Sequence, residues 1–192
     1  MHLSDELEVI WLTPQRTGTR STIYLLKELH FQIGAHNWEI PKEKSHYKIV
    51  CNVRNPYSRL TSVFFLQSLH LKNFDRDFKT WVFSSFEDKY FLQNYQINFH
   101  ENLPPVDFYV KIENFIDSIF LLSFINFDDS IIKKTLEENI LTNHYKDEFS
   151  EFIMRKDWKQ YYDEELASFV YKKFKIQFDM FKYEKNSWYG TP

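Results

Sequence analysis

LEVIWLTPQRTGTRSTIYLLKEL, residues 7–29, sets an apolar run, a turn and a helical stripe in immediate succession. Leu7 to Leu12 has the length of a buried parallel strand. Thr13 to Thr22 then brings proline, glycine and hydroxyl residues, the chemistry of a turn that opens a helix. Ile23, Leu25, Leu26 and Leu29 supply the apolar face of a helix expected from Thr19 to Phe31, with Gly34 as its break. The pattern repeats at once. Tyr47 to Val53 reads as a second strand, and Pro56 stands where a first helical turn tolerates proline, opening a helix to about His70 that buries Leu60, Val63 and Phe64. Strand, helix, strand, helix predicts an α/β fold on a parallel sheet.

Further along, Val106 to Ile112 reads as a third strand after Pro104 and Pro105, followed by a helix from Glu113 to Phe124. Asp163 to Phe174 is the clearest helix of all. Asp163 is its N-cap, Glu164 and Glu165 fill the first turn, and Leu166, Phe169, Val170 and Phe174 share a face. Leu71 to Asn102 is aromatic and charged, and is expected to be helical, with a lid as its conceivable use. With 192 residues, 43% apolar and 27% charged, the chain is expected to be one globular domain over 1–192. Aromatics reach 19%, which predicts a core rich in Phe and Tyr, although some of those rings could line a groove for a sugar.

Composition also excludes. A formal charge of −3 speaks against a nucleic-acid partner, which would show a basic stripe. Cys51 stands alone inside an apolar strand, so no intrachain disulfide is expected and the thiol reads as buried. The start, MHLSDELEV, lacks a signal peptide's basic and apolar segments, and no run has the length of a membrane span. A cytoplasmic protein with no membrane partner is therefore expected. No Cys/His/Asp spacing marks a metal site.

The two turns carry the chemistry. In TPQRTGTRST, Gly18 lets the backbone approach a ligand, and Thr17, Thr19, Ser21 and Thr22 offer hydroxyls. Arg16 and Arg20 add fixed positive charge, and the free amides of a helix start favour an anion. The GK[ST] ending of a Walker loop is absent, which argues against an ordinary ATP or GTP kinase. A capped turn with solvated arginines would use the same residues. In VRNPYSRLTS, Val53 to Ser62, Arg54 ends the strand and Ser62 lies two helical turns on. An arginine fork and a hydroxyl so placed suit one phosphate. Arg59 fits either a ligand contact or a surface ion pair.

Together these segments resemble the sulfotransferases that use 3′-phosphoadenosine-5′-phosphosulfate, most closely the carbohydrate-type branch with its R-x-P-x-x-R-x-x-S element. PPVDFYVKIENFIDSI, Pro104 to Ile119, is similar to the family's later strand-helix element. Asp157 to Tyr183 is similar to its closing helix and Asp-Phe-x-x-Phe-x-Tyr tail. The resemblance implies a P-loop NTPase-like three-layer fold, with a small central parallel sheet flanked by helices and a helix-rich C-terminal half. It implies transfer of a sulfuryl group to a hydroxyl acceptor, with a sugar or glycan expected. Arg16, Thr17, Gly18, Thr19, Arg20 and Ser21 would hold the 5′-phosphosulfate end, and Arg54 with Ser62 the 3′-phosphate. Arg16 stands where many members carry lysine. The resemblance implies that it would also stabilise the leaving phosphate, as a catalytic residue.

His36 resembles the position of a histidine in the carbohydrate-type branch and is expected to be the general base, suited by a pKa near neutrality. Glu39 is the next choice, because other branches use glutamate. His30 and His46 read as surface or packing residues. The Arg-Lys-Gly loop of the cytosolic branch has no counterpart: Arg155 and Lys156 lack the glycine. Two other functions fit the same residues, a kinase-like phosphotransferase and a non-catalytic relative that binds the nucleotide.

Overall fold

The computed structural model describes residues 1–34, 39–70, 76–128, 130 and 158–189, and falls into two compact units. The first comprises 1–54 with 101–144, and the second 55–100 with 145–192.

The first unit is built on a five-stranded sheet in the order β3-β1-β2-β4-β5. Its strands are β1 (His2–Ser4), β2 (Val9–Leu12), β3 (Gln32–Ile33), β4 (Lys48–Val53) and β5 (Phe108–Lys111). β2, β4 and β5 run parallel, Trp11 standing opposite Val50 and Cys51 opposite Tyr109. The apolar runs thus become the parallel centre of the sheet, as their length and composition predicted. β2 and β4 start late but end where expected, and β5 is shorter at both ends; Leu7 and Glu8 belong to the turn after β1, where Glu8 adopts a φ of 52°.

The wholly parallel sheet expected from the sequence is corrected by β1 and β3, which pair antiparallel to their neighbours. Their sequences, HLS and QI, are too short and too polar to announce a strand. They form because β2 offers β1 a partner, and β1 in turn offers one to β3. The sheet is mixed, and the chain is α/β and rich in helix.

α1 (Thr19–Glu28) leads from β2 to the edge strand β3, burying Thr22, Leu25 and Leu26. It ends before the predicted Phe31 because His30 turns left-handed at a φ of 57°. Its amide bonds Lys27 O, which closes the helix. Val9, Trp11, Leu26, Val50 and Val110 form the core on that side. Cys51 is buried, as expected of a thiol in a central strand.

The second unit begins at α2 (Pro56–His70) and continues through α3 (Phe78–Ser85) and α4 (Lys89–Asn94). Among its described residues, the segment read as aromatic and helical contains these two short α-helices. Each starts on an aspartate, Asp77 accepting from the Thr80 amide and Asp88 from that of Tyr90. In the first unit, β5 leads through a tight turn, Ile112–Asn114, into α5 (Phe115–Phe120). That helix stops short of the predicted Phe124 because the chain tightens into i→i+3 bonds, Leu122 to Ile119 and Ile125 to Leu122. α6 (Glu164–Phe181) starts at Asp163 as expected, whose carboxylate accepts from the Leu166 amide at 2.8 Å. It runs past the predicted end to a left-handed Lys182.

The aromatic excess is spent in the second unit. Tyr57, Phe64, Phe78, Trp81, Tyr162 and Phe178 are buried in one cluster with Leu60 and Leu166. Edge-to-face contacts link Phe64 to Trp81 at 5.2 Å and Tyr57 to Tyr162 at 5.0 Å. The Tyr162 hydroxyl donates to Tyr57 O at 2.8 Å, and burial pushes that phenol's ionisation far upward. Among the described residues, no helix is long and apolar enough to cross a membrane.

Candidate functional site

The corner between β2 and α1 is assembled by internal bonds. Gly18 is the N-cap of α1 and adopts a left-handed φ of 78°. A Cβ there would lie 2.1 Å from Ile112 Cδ1, so glycine is required twice, by conformation and by packing. Arg16 also adopts a left-handed φ of 63°, an unusual state for a residue with a Cβ. Thr17 is fully buried; its amide and its hydroxyl both donate to Pro14 O, at 3.2 and 2.7 Å. Thr19 Oγ1 reaches the same carbonyl at 3.4 Å.

Two of the hydroxyls expected to face a ligand are thereby turned inward. Thr17 shapes the loop through its side chain, and Thr22 donates to Gly18 O at 3.1 Å. Ser21 is half-buried and Arg20 exposed on the first turn of α1. That turn carries no acidic residue, and Gly18 brings no side-chain cap. The helix start therefore has no carboxylate of its own in that turn, an electrostatic condition that favours an anion.

Arg16 and Arg54 come together here. They lie just beyond the carboxyl ends of adjacent parallel strands, β2 and β4. Arg54 Nη1 donates to Arg16 O at 3.4 Å, and both side chains are half-buried. Two arginines thus stand at one sheet edge of a chain whose net charge is −3.

Beneath the loop lies a residue that pattern reading passed over. Asn52, fully buried in β4, accepts from Trp11 Nε1 at 2.8 Å. Its amide nitrogen donates to Thr17 O at 2.9 Å and to Thr22 Oγ1 at 2.6 Å. The only signal in the sequence is a polar residue inside an otherwise apolar strand, KIVCNV.

The rest of the second motif belongs to the second unit. Asn55 Oδ1 accepts from the Tyr57 amide at 3.0 Å and so caps α2, while its Nδ2 donates to Ser187 Oγ at 2.8 Å. Arg59 is not a surface ion pair. It is 1% exposed and donates to the carbonyls of Tyr95, Gln96 and Ile97 at 2.9, 2.8 and 3.3 Å. Its guanidinium lies 4.8 Å from the Phe99 ring centre. Ser62 is buried in α2, at 5% exposure.

Of the base candidates, His36 lies outside the described residues, and Glu39 is exposed. His30 and His46 are exposed, His46 lying 3.9 Å from Glu8. Arg155 and Lys156 also lie outside the described residues. Family models, curated proteins and solved structures give no match to this chain. The likeness to sulfotransferases therefore rests on the motifs themselves.

Proposed function

We propose that this chain is a sulfotransferase that moves a sulfuryl group from 3′-phosphoadenosine-5′-phosphosulfate to a hydroxyl, with a carbohydrate as the acceptor. The observation that carries this is the corner itself: Arg16 and Arg54 at adjacent parallel strand ends, beside a helix start with no carboxylate of its own. In open α/β sheets ligands bind outside such strand ends. A strand, loop and helix of this kind on parallel neighbours accords with a P-loop-like three-layer fold, to which β1 and β3 add an antiparallel edge.

In this reading, the amides at the start of α1 and the Arg16 guanidinium receive the 5′-phosphosulfate. Arg54 takes the 3′-phosphate. During transfer the bond between sulfur and the bridging phosphate oxygen breaks as the acceptor oxygen bonds to sulfur. Negative charge grows on the leaving phosphate, where Arg16 and the loop amides stabilise it. Arg16 holds its charge throughout, since a guanidinium does not release a proton at ordinary pH. The acceptor proton passes to His36, or to Glu39 if that histidine is not the base.

The test is a transfer assay with sulfur-labelled donor and a panel of sugars, glycans and simple alcohols. Label in a sugar product supports the proposal. Phosphate transfer from ATP with Mg²⁺ would make the chain a phosphotransferase, and nucleotide binding without transfer would make it a non-catalytic relative.

A further inference from the structure

We propose that Asn52 is the positioning residue of this corner, setting two successive peptide groups of the loop so that their N–H bonds face an anion. The inference rests on the anion-binding role given to the loop above. Its observations are independent of the arginines.

Asn52 engages both of its side-chain donors and one acceptor position around the site. Trp11 Nε1 occupies Oδ1, which fixes the orientation of the side-chain amide. Both N–H groups are then aimed at the loop, one to Thr17 O and one to Thr22 Oγ1. Thr22 passes the constraint on, since its hydroxyl and its amide both donate to Gly18 O at 3.1 Å. The carbonyls of Thr17 and Gly18 are thus both held from within the fold.

In a trans peptide, C=O and N–H point in opposite directions, and no peptide among the described residues is cis. Holding Thr17 O toward Asn52 therefore turns the Gly18 N–H to the opposite side. Holding Gly18 O toward Thr22 does the same for the Thr19 N–H. Two successive amides so directed make a concave donor for an oxyanion. A 17–18 peptide turned the other way would present a carbonyl to the anion instead. Gly18, without a Cβ, leaves that rotation sterically open, and Asn52 decides it. A fully buried asparagine in an apolar strand is otherwise a costly choice, because valine or leucine would pack without a polar group to satisfy.

Four variants of the full chain test this: Asn52→Asp, Thr22→Val, Thr22→Ser and, as a stability control, Val170→Ala in the core of the second unit. Affinity for 3′-phosphoadenosine-5′-phosphate is measured by calorimetry well below each Tm. Asn52→Asp and Thr22→Val are expected to weaken binding by about tenfold or more. Thr22→Ser, which keeps the hydroxyl, should bind within about twofold of the parent, as should Val170→Ala despite a lower Tm. Unchanged affinity in Thr22→Val, or an equal loss in Val170→Ala, overturns the proposal. If Asn52→Asp fails to fold, the Thr22 pair still decides. If the parent chain binds no nucleotide, the functional reading fails and the positioning role is decided without ligand, by the Gly18 and Thr19 amide resonances. These should shift and change exchange rate in Thr22→Val but not in Thr22→Ser, and unchanged resonances would refute the inference.

Discussion

Arg16 is held at a φ of 63°, where an ordinary side chain costs the fold about 1–2 kcal/mol. A protein keeps such a residue when its surroundings enforce it, and these places cluster where ligands bind. Arg16→Gly separates conformation from charge. The variant should be as stable as the parent or more stable by up to about 1 kcal/mol in thermal unfolding, while its nucleotide affinity falls about tenfold to a hundredfold. Gly18→Ala should do the opposite. It forces a left-handed alanine onto Ile112 and should lose about 2–4 kcal/mol in denaturant unfolding. His36→Ala should lower turnover by about a hundredfold or more at unchanged donor affinity, and near-normal turnover would remove it as the base. Gly18 and the arginines were legible in the sequence because turn chemistry is local. Asn52 was not, since its partners Trp11, Thr17 and Thr22 lie on other elements.

At the scale of elements, the readable parts were those whose own residues specify them. The apolar runs of β2 and β4 and the proline start of α2 fall where pattern places them. So does the start of α6, where Asp163 caps the helix. The bond from the Leu166 amide, with Lys79 as a second partner at 2.8 Å, holds the Asp163 carboxyl below the ordinary aspartate range. Because the folded value is lowered, this stabilisation is present above the unfolded pKa and is lost as pH falls through the folded one. Asp163→Ala should therefore cost about 1 kcal/mol near neutrality. The difference between variant and parent should shrink as pH falls through the lowered Asp163 pKa in acid-titrated thermal melts. What pattern missed, β1 and β3, has no strand signal of its own, because pairing with a neighbour creates it. The early end of α1 likewise follows from one left-handed residue, His30, which apolar periodicity does not register.

At the scale of the whole molecule, the chain divides its resources between two units. One carries the sheet, whose parallel strands deliver Arg16 and Arg54 to a common edge. The other carries the aromatic core, in which even a buried arginine, Arg59, serves backbone carbonyls. The fold class was legible because strand and helix alternate in the sequence; the mixed sheet was not. The function depends on whether the edge with the two arginines grips a nucleotide phosphorylated at both ends. Titration calorimetry of the purified chain with 3′-phosphoadenosine-5′-phosphate decides this, with adenosine 5′-phosphate and Mg²⁺-ATP as comparison ligands. Saturable binding of the bisphosphate, at least about tenfold tighter than of the monophosphate, is the predicted result, since the 3′ group adds charge-assisted bonds. No measurable heat with the bisphosphate, or a preference for Mg²⁺-ATP, would contradict it.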